Sequence, residues 1–322
     1  MCYNELLEKS IGKREEKMIY FAPLEGITSY LYRKTHQEFF GGVDCYYTPF
    51  ICPSSNRNFK SKEKKDILPE NNEGVAIVPQ ILSNRSDEFI YTAKCLKEYG
   101  YEEVNLNLGC PSGTVVSKGR GSGFLERRKE LERFLDEIYH GLDMKISIKT
   151  RLGMYEPEEF ESLLLLYNQY PISELTIHPR TRTDQYKGAP HREWFDFAYK
   201  KSKNPLCYNG DILTKDDYRQ LHEKYPNANV MIGRGLLTNP FLAAEIAGTA
   251  SWNEERIWQF EHTLRQRYKE IMPPVPVLFK MKEIWAFMIK PFEDKEKKWK
   301  QIRKAKKLSD YENIICSLGG VR

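Results

Sequence analysis

Eight short segments rich in Val, Ile, Leu and aromatic residues recur at regular spacing through the first two thirds of the chain. Most are continuously apolar rather than alternating, which is typical of parallel strands covered on both faces. The stretches between them have helical periodicity and start signals, such as Thr214 three residues before Asp217. The polar stretch 56–72 is predicted to be a long loop. The predicted strands are residues 19–24, 45–51, 75–81, 103–108, 145–150, 174–178, 205–209 and 229–232.

Strands and helices alternate in this way from residue 18 to residue 248, which is long enough for a (β/α)8 barrel. An open, doubly wound parallel sheet is the alternative that the same pattern allows. After residue 249 the strand pattern stops. Helical periodicity predicts three helices there, at 254–271, 275–289 and 295–317. We therefore predict an α/β fold, with an N-terminal extension at 1–17, a TIM barrel at 18–248 and a small helical domain at 249–322.

A basic cluster lies near the end of the chain, at residues 280–307. It contains eleven Lys and Arg against four Asp and Glu, an excess of +7, whereas the whole chain has a net charge of +5. The remainder of the chain is therefore near neutral or slightly acidic. A basic module on such a body indicates a polyanionic partner that docks at one end. The alternative is an ordinary solvated, lysine-rich helix face.

Composition argues against several classes of protein. The chain has 40% apolar and 30% charged residues, and no uninterrupted apolar run approaches the ~20 residues that a membrane span needs. The first residues mix acidic and basic side chains, unlike a signal peptide. The seven cysteines are scattered and never spaced Cys-x-x-Cys, which argues against a disulfide framework or a zinc site and for a reducing cytosol. We expect a cytoplasmic monomer with no bound metal and no membrane partner.

Polar and glycine residues follow seven of the eight predicted strands at the point where each strand ends. In a (β/α)8 barrel the active site is built from this end of the strands. A single strand-end His is more often structural, but seven strand ends in register indicate one shared site. The candidate site residues at these strand ends, which include the apolar Pro23 and Leu24 of the first one, are Pro23, Leu24, Gln80, Asn107, Cys110, Lys149, Arg151, His178, Asn209, Gly210, Asp211, Gly233 and Arg234.

The chemistry of these residues suits a flavin mononucleotide. Gly-Arg-Gly at 233–235, before a helix, offers bare backbone N–H groups to a phosphate, and Asn-Gly-Asp at 209–211 can close the same pocket. Lys149 suits the N1/O2 edge of an isoalloxazine ring, where negative charge develops on reduction. Gln80 can hydrogen-bond the polar edge of the ring. The alternative role for Lys149 is a buried ion pair.

Cys110 is the sharpest single candidate for a catalytic residue. It follows a glycine and precedes a proline at a strand end, so we expect it to open a loop at the barrel mouth. A free thiol has a pKa of about 8.5 and is mostly protonated at neutral pH, so it can donate a proton. Taken alone, a buried inert cysteine is the more common observation.

Together these motifs resemble the dihydrouridine synthase family over about residues 18–247. The opening motif of that family is similar to Ala-Pro-Leu-Glu-Gly at 22–26, and its hallmark is Asn-Leu-Gly-Cys-Pro at 107–111. Lys149 and Arg151 match its Lys-x-Arg pair, and residues 178–188 match its block from His to Gly. Asn-Gly-Asp and Gly-Arg-Gly complete the set in the expected order.

The resemblance implies a flavin enzyme that reduces uridines in tRNA. Cys110 would protonate uracil C5 after hydride passes from flavin N5 to C6, with NADPH reducing the flavin as co-substrate. The residues implied for FMN are Pro23, Leu24, Gln80, Lys149, His178, Asn209, Gly210, Asp211, Gly233 and Arg234. Those implied for the substrate are Asn107, Arg151, Tyr186 and Lys118. The C-terminal helices would bind the tRNA phosphates.

Two other functions compete with this interpretation. One is an FMN oxidoreductase of a free pyrimidine, resembling dihydroorotate dehydrogenase, which also places a Lys near the flavin but has no use for the basic cluster. The other is a non-catalytic RNA-binding barrel that has lost the flavin. The presence of Cys110, Lys149 and Arg234 argues against it.

Overall fold

The computed structural model describes residues 17–53 and 58–320, so the N-terminal extension predicted at 1–17 lies almost wholly outside the described residues. In this part of the chain, nine parallel strands form one sheet in the order β3-β2-β1-β9-β8-β7-β6-β5-β4. They fall within or beside the predicted segments. The strands are β1 (Ile19–Phe21), β2 (Cys45–Tyr47), β3 (Ile77–Val78), β4 (Gln80–Ile81), β5 (Glu103–Leu108), β6 (Lys145–Arg151), β7 (Leu175–His178), β8 (Leu206–Tyr208) and β9 (Asn229–Ile232).

The two ends of this sheet belong to one stretch of chain, interrupted at Pro79. β3 pairs with β2 and β4 pairs with β5, and the Pro79 carbonyl accepts the amide of Asn105 at 2.9 Å. Proline has no N–H to donate, which explains the break in the ladder. The sheet therefore closes into an eight-stranded barrel, as predicted. An open doubly wound sheet is wrong, because its two edge strands would belong to different segments.

Helices alternate with the strands around the barrel and continue after it. The start signal at Thr214 is confirmed: its Oγ1 accepts the Asp217 amide at 3.1 Å, and the Asp217 carboxylate accepts the Thr214 amide at 2.8 Å. The helices are α1 (Tyr30–Phe39), α2 (Ser61–Ile67), α3 (Ser86–Glu98), α4 (Gly113–Val116), α5 (Arg128–Gly141), α6 (Glu159–Tyr167), α7 (Arg192–Lys201), α8 (Lys215–Lys224), α9 (Arg234–Thr238), α10 (Leu242–Ile246), α11 (Glu254–Ile271), α12 (Pro274–Met288), α13 (Lys295–Lys304) and α14 (Leu308–Ser317).

The long loop predicted at 56–72 is wrong. Residues 54–57 lie outside the described part, but α2 and a 3-10 helix at Pro69–Asn72 occupy most of the rest. Contacts with α1 explain why: the buried Arg33 guanidinium donates to the Asp66 carbonyl at 2.6 Å and to the Asn72 side chain at 2.8 Å. These partners lie more than 30 residues away, so local polarity could not reveal them.

The single helix predicted at 295–317 is also wrong, because the chain turns between α13 and α14. Asp310 accepts the amides of Lys306 at 3.3 Å and Lys307 at 3.0 Å, which starts a new helix. Lys282, on α12, donates its ammonium to the carbonyls of Arg303 and Ala305 and so caps the end of α13. Neither glycine nor proline marks this break in the sequence.

The C-terminal helices pack against the barrel through α1. Arg267 donates to Thr35 at 2.8 Å and pairs with Glu38 at 2.7 Å, and Ser29 lies 3.1 Å from the Tyr268 hydroxyl. One apolar cluster includes buried residues of both parts. The boundary between residues 248 and 249 therefore stays a prediction. Within 17–53 and 58–320, no helix has the length and apolar character of a membrane span.

Candidate active site

A cavity of about 630 Å³ opens at the carboxyl ends of the strands. Nine of the predicted residues line it, and they come from five different strand ends and the loop after β7. They are Pro23, Leu24, Gln80, Asn107, Cys110, Lys149, Arg151, His178 and Tyr186. The site that the sequence predicts at this end of the barrel is therefore a real concavity.

The other predicted residues lie beside this cavity rather than in its wall. Lys118 lines an adjoining cavity of about 550 Å³, which shares Glu25, Phe50, Cys110 and Ser112 with the first. The Asn209 amide donates to the Met231 carbonyl at 2.7 Å. Gly210, Asp211, Gly233 and Arg234 occupy the next two strand ends, where Asp211 pairs with Arg234.

Several residues of the cavity wall were not singled out by the sequence. Among them are Glu25, Phe50, Arg182 and Gln185. Gln185 has a φ of 52°, in the left-handed region that non-glycine residues rarely adopt, and its carbonyl accepts from Arg151 at 2.9 Å. Glu25 and Gln185 lie inside the sequence motifs at 22–26 and 178–188, so their place in those motifs could have identified them as site residues.

Asn107 anchors the loop that carries Cys110. Its side-chain oxygen accepts the amides of Gly109 and Cys110, both at 3.0 Å, and its NH2 group donates to Gln80 at 2.6 Å. The Ser122 amide and hydroxyl both donate to the Cys110 carbonyl. The thiol is thus presented to the cavity by a loop that is held on both sides.

The Cys110 thiol is favoured in its protonated form. Burial raises its pKa above the ordinary value, although the Ser112 amide and the cations Arg151 and Lys149 act in the opposite direction. A protonated thiol can donate a proton to a bound molecule, whereas a thiolate cannot.

Lys149 carries an isolated ammonium inside the barrel. Burial and the neighbouring Arg151 lower the pKa of Lys149 to about 8. Among the residues described, none of the carboxylates pairs with its Nζ, so the ion pair considered from the sequence is not formed there. Lys149 is half-buried in the cavity wall, and a cation in that position without a counter-ion favours a ligand that supplies negative charge.

His178 lies among several cations and is neutral. Burial, followed by Arg151, Lys149, Arg180 and Arg234, lowers its pKa well below the ordinary value. Arg180 lies 3.1 Å from His178 Nε2 and pairs with Asp211 at 2.7 Å. The imidazole therefore lines the cavity as a neutral hydrogen-bonding group.

Arg151 and Arg234 flank the ring of Tyr186. Their guanidinium carbons lie 5.4 and 4.8 Å from the ring centroid, within the range of cation–π interactions. Arg151 also donates to the carbonyls of Gly109 at 2.8 Å and Thr181 at 2.8 Å. In this structure Arg151 thus joins the Cys110 loop to the loop that carries Tyr186.

A sequence profile described as dihydrouridine synthase matches residues 20–315. The chain belongs to the dihydrouridine synthase family. The match covers both the barrel and the C-terminal helices, so in this dihydrouridine synthase homologue the whole cavity and the whole basic cluster lie within the residues that match the family.

Relatives with similar sequences support the same assignment. The chain is 31% identical over 230 residues to a probable tRNA-dihydrouridine synthase of Staphylococcus aureus (strain COL), covering 68% of each chain. It is 30% identical over 227 residues to probable tRNA-dihydrouridine synthase 2 of Bacillus subtilis (strain 168), covering 68% of this chain and 69% of the relative.

Solved structures with similar folds are more distant in sequence. Morphinone reductase in complex with tetrahydroNAD superposes with a TM-score of 0.53 at 11% identity, covering 75% of this chain and 89% of that one. Histamine dehydrogenase from Rhizobium sp. 4-9 gives a TM-score of 0.55 at 12% identity, covering 76% and 46%. These similarities confirm the barrel fold of the dihydrouridine synthase homologue and carry no argument about its substrate.

Proposed function

We propose that this dihydrouridine synthase homologue reduces uridines in tRNA to 5,6-dihydrouridine in the cytoplasm, with FMN as cofactor and NADPH as reductant. The observation that carries the proposal is the meeting of Cys110, Lys149 and Asn107 in one cavity of a chain that belongs to this family. The names of its bacterial relatives give the substrate class.

The wall of the cavity fits a flavin. Three cationic residues line the cavity, Lys149, Arg151 and Arg182, whereas its lining contains one carboxylate, Glu25. Glu25 already forms an ion pair with Lys62 at 2.6 Å, so the wall carries an excess of positive charge. The uncompensated Lys149 suits the N1/O2 edge of the ring, while His178 and Gln80 can hydrogen-bond its polar edge. A volume of about 630 Å³ is in the usual range for cofactor sites.

The other residues proposed for FMN would hold its ribityl phosphate and frame the ring. Pro23 and Leu24 form the wall at the end of β1, and the strand ends of β8 and β9 supply the phosphate side. The residues of those two ends are Asn209, Gly210, Asp211, Gly233 and Arg234. When bound, the flavin supplies the hydride for the reduction.

The remaining residues act on the base. Cys110 would donate its thiol proton to uracil C5, because burial favours the thiol over the thiolate. Asn107 has one N–H left after its bond to Gln80, and this donor can bind a carbonyl of uracil. Arg151, at the end of β6, and Tyr186, in the loop after β7, would frame the base.

A uridine must leave its stack to reach this depth. The adjoining cavity, which carries Lys60, Lys118 and Arg120 beside Cys110, is positioned to receive the backbone of the extruded nucleotide. Arg120 is neutralised by Glu88 at 3.2 Å, so Lys118 is the better phosphate ligand of the two. The basic cluster would bind phosphates farther along the tRNA.

The test combines three measurements on the purified chain. It should be yellow with flavin absorbance, oxidise NADPH, and form dihydrouridine in tRNA from a strain that lacks the modification, measured by nucleoside mass spectrometry. Reduction of free uracil or orotate without reduction of tRNA would instead support the free-pyrimidine alternative. A colourless protein that binds tRNA would support the non-catalytic barrel.

A further inference from the structure

Four buried polar side chains form a continuous hydrogen-bonded row across three neighbouring strands of the barrel. Asn107 donates to Gln80 at 2.6 Å, Gln80 donates to Asn105 at 2.7 Å, and Asn105 donates to Ser147 at 3.0 Å. Gln80, Asn105 and Ser147 are fully buried, and Asn107 is 6% exposed. Asn105 and Ser147 lie below the cavity and do not line it. We call this set the amide row.

The backbone determines the direction of every bond in the amide row. The amides of Gly109 and Cys110 can only donate, so they require the oxygen of the Asn107 side chain. The NH2 group of Asn107 must then face Gln80, whose oxygen accepts it, and the NH2 group of Gln80 must face Asn105. A flip of Gln80 would place two donors against each other at one end and two oxygens at the other.

The direction of the row decides what the cavity offers to a ligand. Both lone pairs of the Asn107 oxygen are occupied, so Asn107 presents one N–H and no acceptor. Gln80 keeps one N–H and one lone pair. Asn105 holds this orientation in place, because its oxygen is the acceptor that Gln80 needs.

We propose that Asn105 is a positioning residue, which acts through Gln80 and Asn107 to hold the Cys110 loop and the donor N–H beside it. This role rests on the function proposed above for Cys110, Gln80 and Asn107. Satisfied polar rows in a dry interior define one arrangement of their members, whereas a row with a missing partner loses that definition. Asn105 would thus contribute to the geometry of the thiol through two intervening side chains, Gln80 and Asn107, without touching substrate or flavin.

The experiment measures the accessibility of the Cys110 thiol rather than turnover. The flavin-loaded enzyme is treated with iodoacetamide, and alkylation of the Cys110 peptide is followed by mass spectrometry. Asn105→Leu removes the acceptor and keeps the same number and branching of side-chain heavy atoms, whereas Asn105→Asp keeps an oxygen facing Gln80. Cys52, which is half-buried in the adjoining cavity and outside the amide row, is the internal control.

Asn105→Leu should speed alkylation of Cys110 by about fivefold, the effect of one lost buried hydrogen bond on a rate. Asn105→Asp should stay within about twofold of the parent enzyme, and Cys52 should react at an unchanged rate in both variants. If the role of Asn105 were purely structural, both variants would have a lower thermal midpoint. The alkylation rate of Cys110 would then change no more, relative to the parent enzyme, than the rate of Cys52 does.

The proposal would be overturned if Cys110 were alkylated at the same rate in Asn105→Leu and in the parent enzyme. It would also be overturned if Asn105→Leu and Asn105→Asp increased that rate equally. If Asn105→Leu does not fold, Gln80→Met breaks the same row one residue nearer the loop and should reproduce the faster alkylation. An unchanged rate there would overturn the proposal too. The assay needs neither RNA nor NADPH, so its failure is separate from failure of the proposed reaction.

Discussion

Arg180 donates a hydrogen bond to Nε2 of His178 over 3.1 Å while it pairs with Asp211 at 2.7 Å. A guanidinium has no acceptor, so Nε2 must accept and the imidazole proton is on Nδ1. The pKa of His178 is lowered by burial and by the surrounding cations, so the ring is neutral. Arg180 therefore selects one tautomer of a residue in the cavity wall.

Arg180→Met should destabilise the fold and loosen the flavin. It removes a fully buried cation and leaves Asp211 with Arg234 alone, so we expect a loss of about 1–3 kcal/mol in the free energy of unfolding in urea. Arg234→Met is the matched control for stability. The Arg234 side chain is about one third exposed, so its substitution should lower the free energy of unfolding by about 1 kcal/mol or less. Equal losses of unfolding free energy in Arg180→Met and Arg234→Met would contradict the role given to Arg180.

Cys110→Ala should keep FMN and still oxidise NADPH but should barely form dihydrouridine. The thiol supplies one proton and does not hold the flavin, and such steps contribute about 10²–10⁴-fold. Because burial raises the pKa of Cys110, product formation in the parent enzyme should fall only above the ordinary titration range of a thiol. Cys52→Ala, in the adjoining cavity, should turn over normally. An alanine variant within about threefold of the parent would refute the assignment.

Lys149→Met should lower the reduction potential of the bound flavin and weaken its retention, with tRNA affinity affected less. An ammonium beside the ring stabilises the anionic reduced form. Lys145→Met, on the exposed outer end of the same strand, is the control and should leave the potential unchanged. Spectroelectrochemical titration of both variants gives the comparison. A fully yellow Lys149→Met with the parent potential would show that the ammonium serves another purpose.

Glu174→Gln should remove a pH dependence of stability. Burial, aided by Glu103, raises the pKa of Glu174 to about 8, and one carboxylate oxygen lacks a partner among the described residues. Between its unfolded pKa near 4.3 and about 8, the folded chain binds more protons than the unfolded chain. The contribution of this group is therefore full at low pH and declines as pH rises through that window.

Urea unfolding at pH 5 and pH 8 tests this sign. The parent should be less stable at the higher pH, and Glu174→Gln should lose less across the interval and exceed the parent at pH 8. Glu223→Gln, an exposed substitution on α8, should follow the parent. If Glu174→Gln and Glu223→Gln have the same pH profile, the carboxyl is not protonated in the folded state.

Neutralising Lys297, Lys304 and Lys307 together should weaken tRNA binding and leave NADPH oxidation intact. These lysines are exposed, whereas Lys298 lies 3.7 Å from Glu254 and over the Phe292 ring. Each lost phosphate contact should flatten the plot of log affinity against log salt by roughly 0.7–0.9, so we expect a total change in slope between about 0.7 for one contact and about 2.7 for three.

Lys298→Gln alone is the control for this prediction and should change the slope least. Unchanged affinity and unchanged slope in the triple variant would mean that the basic cluster is a solvated face and that the barrel rim holds the RNA. Lys282, counted in the same cluster, caps α13 and is unsuitable as a probe of RNA binding.

Local patterns in the sequence were enough to predict the barrel and most of its cavity. Continuous apolar segments at regular intervals identify parallel strands, and the chain direction alone places their ends at one face. Gln80, Asn107, Lys149 and His178 could therefore be assigned to one site before any contact was known. The capping box at Thr214 was readable for the same reason, since all its atoms lie within four residues.

The tertiary structure alone decided which groups these side chains bind. Arg151 binds carbonyls some 30–42 residues away, Asp211 lies between two arginines from other strand ends, and Asn105 completes a row that spans three strands. The break before α14 likewise depends on Lys282, more than 20 residues earlier. A buried polar group has no water to bind, so it must hydrogen-bond to another part of the protein. That partner lies in whichever segment the closed barrel brings to within about 3 Å. Spacing along the sequence does not reveal which segment that is.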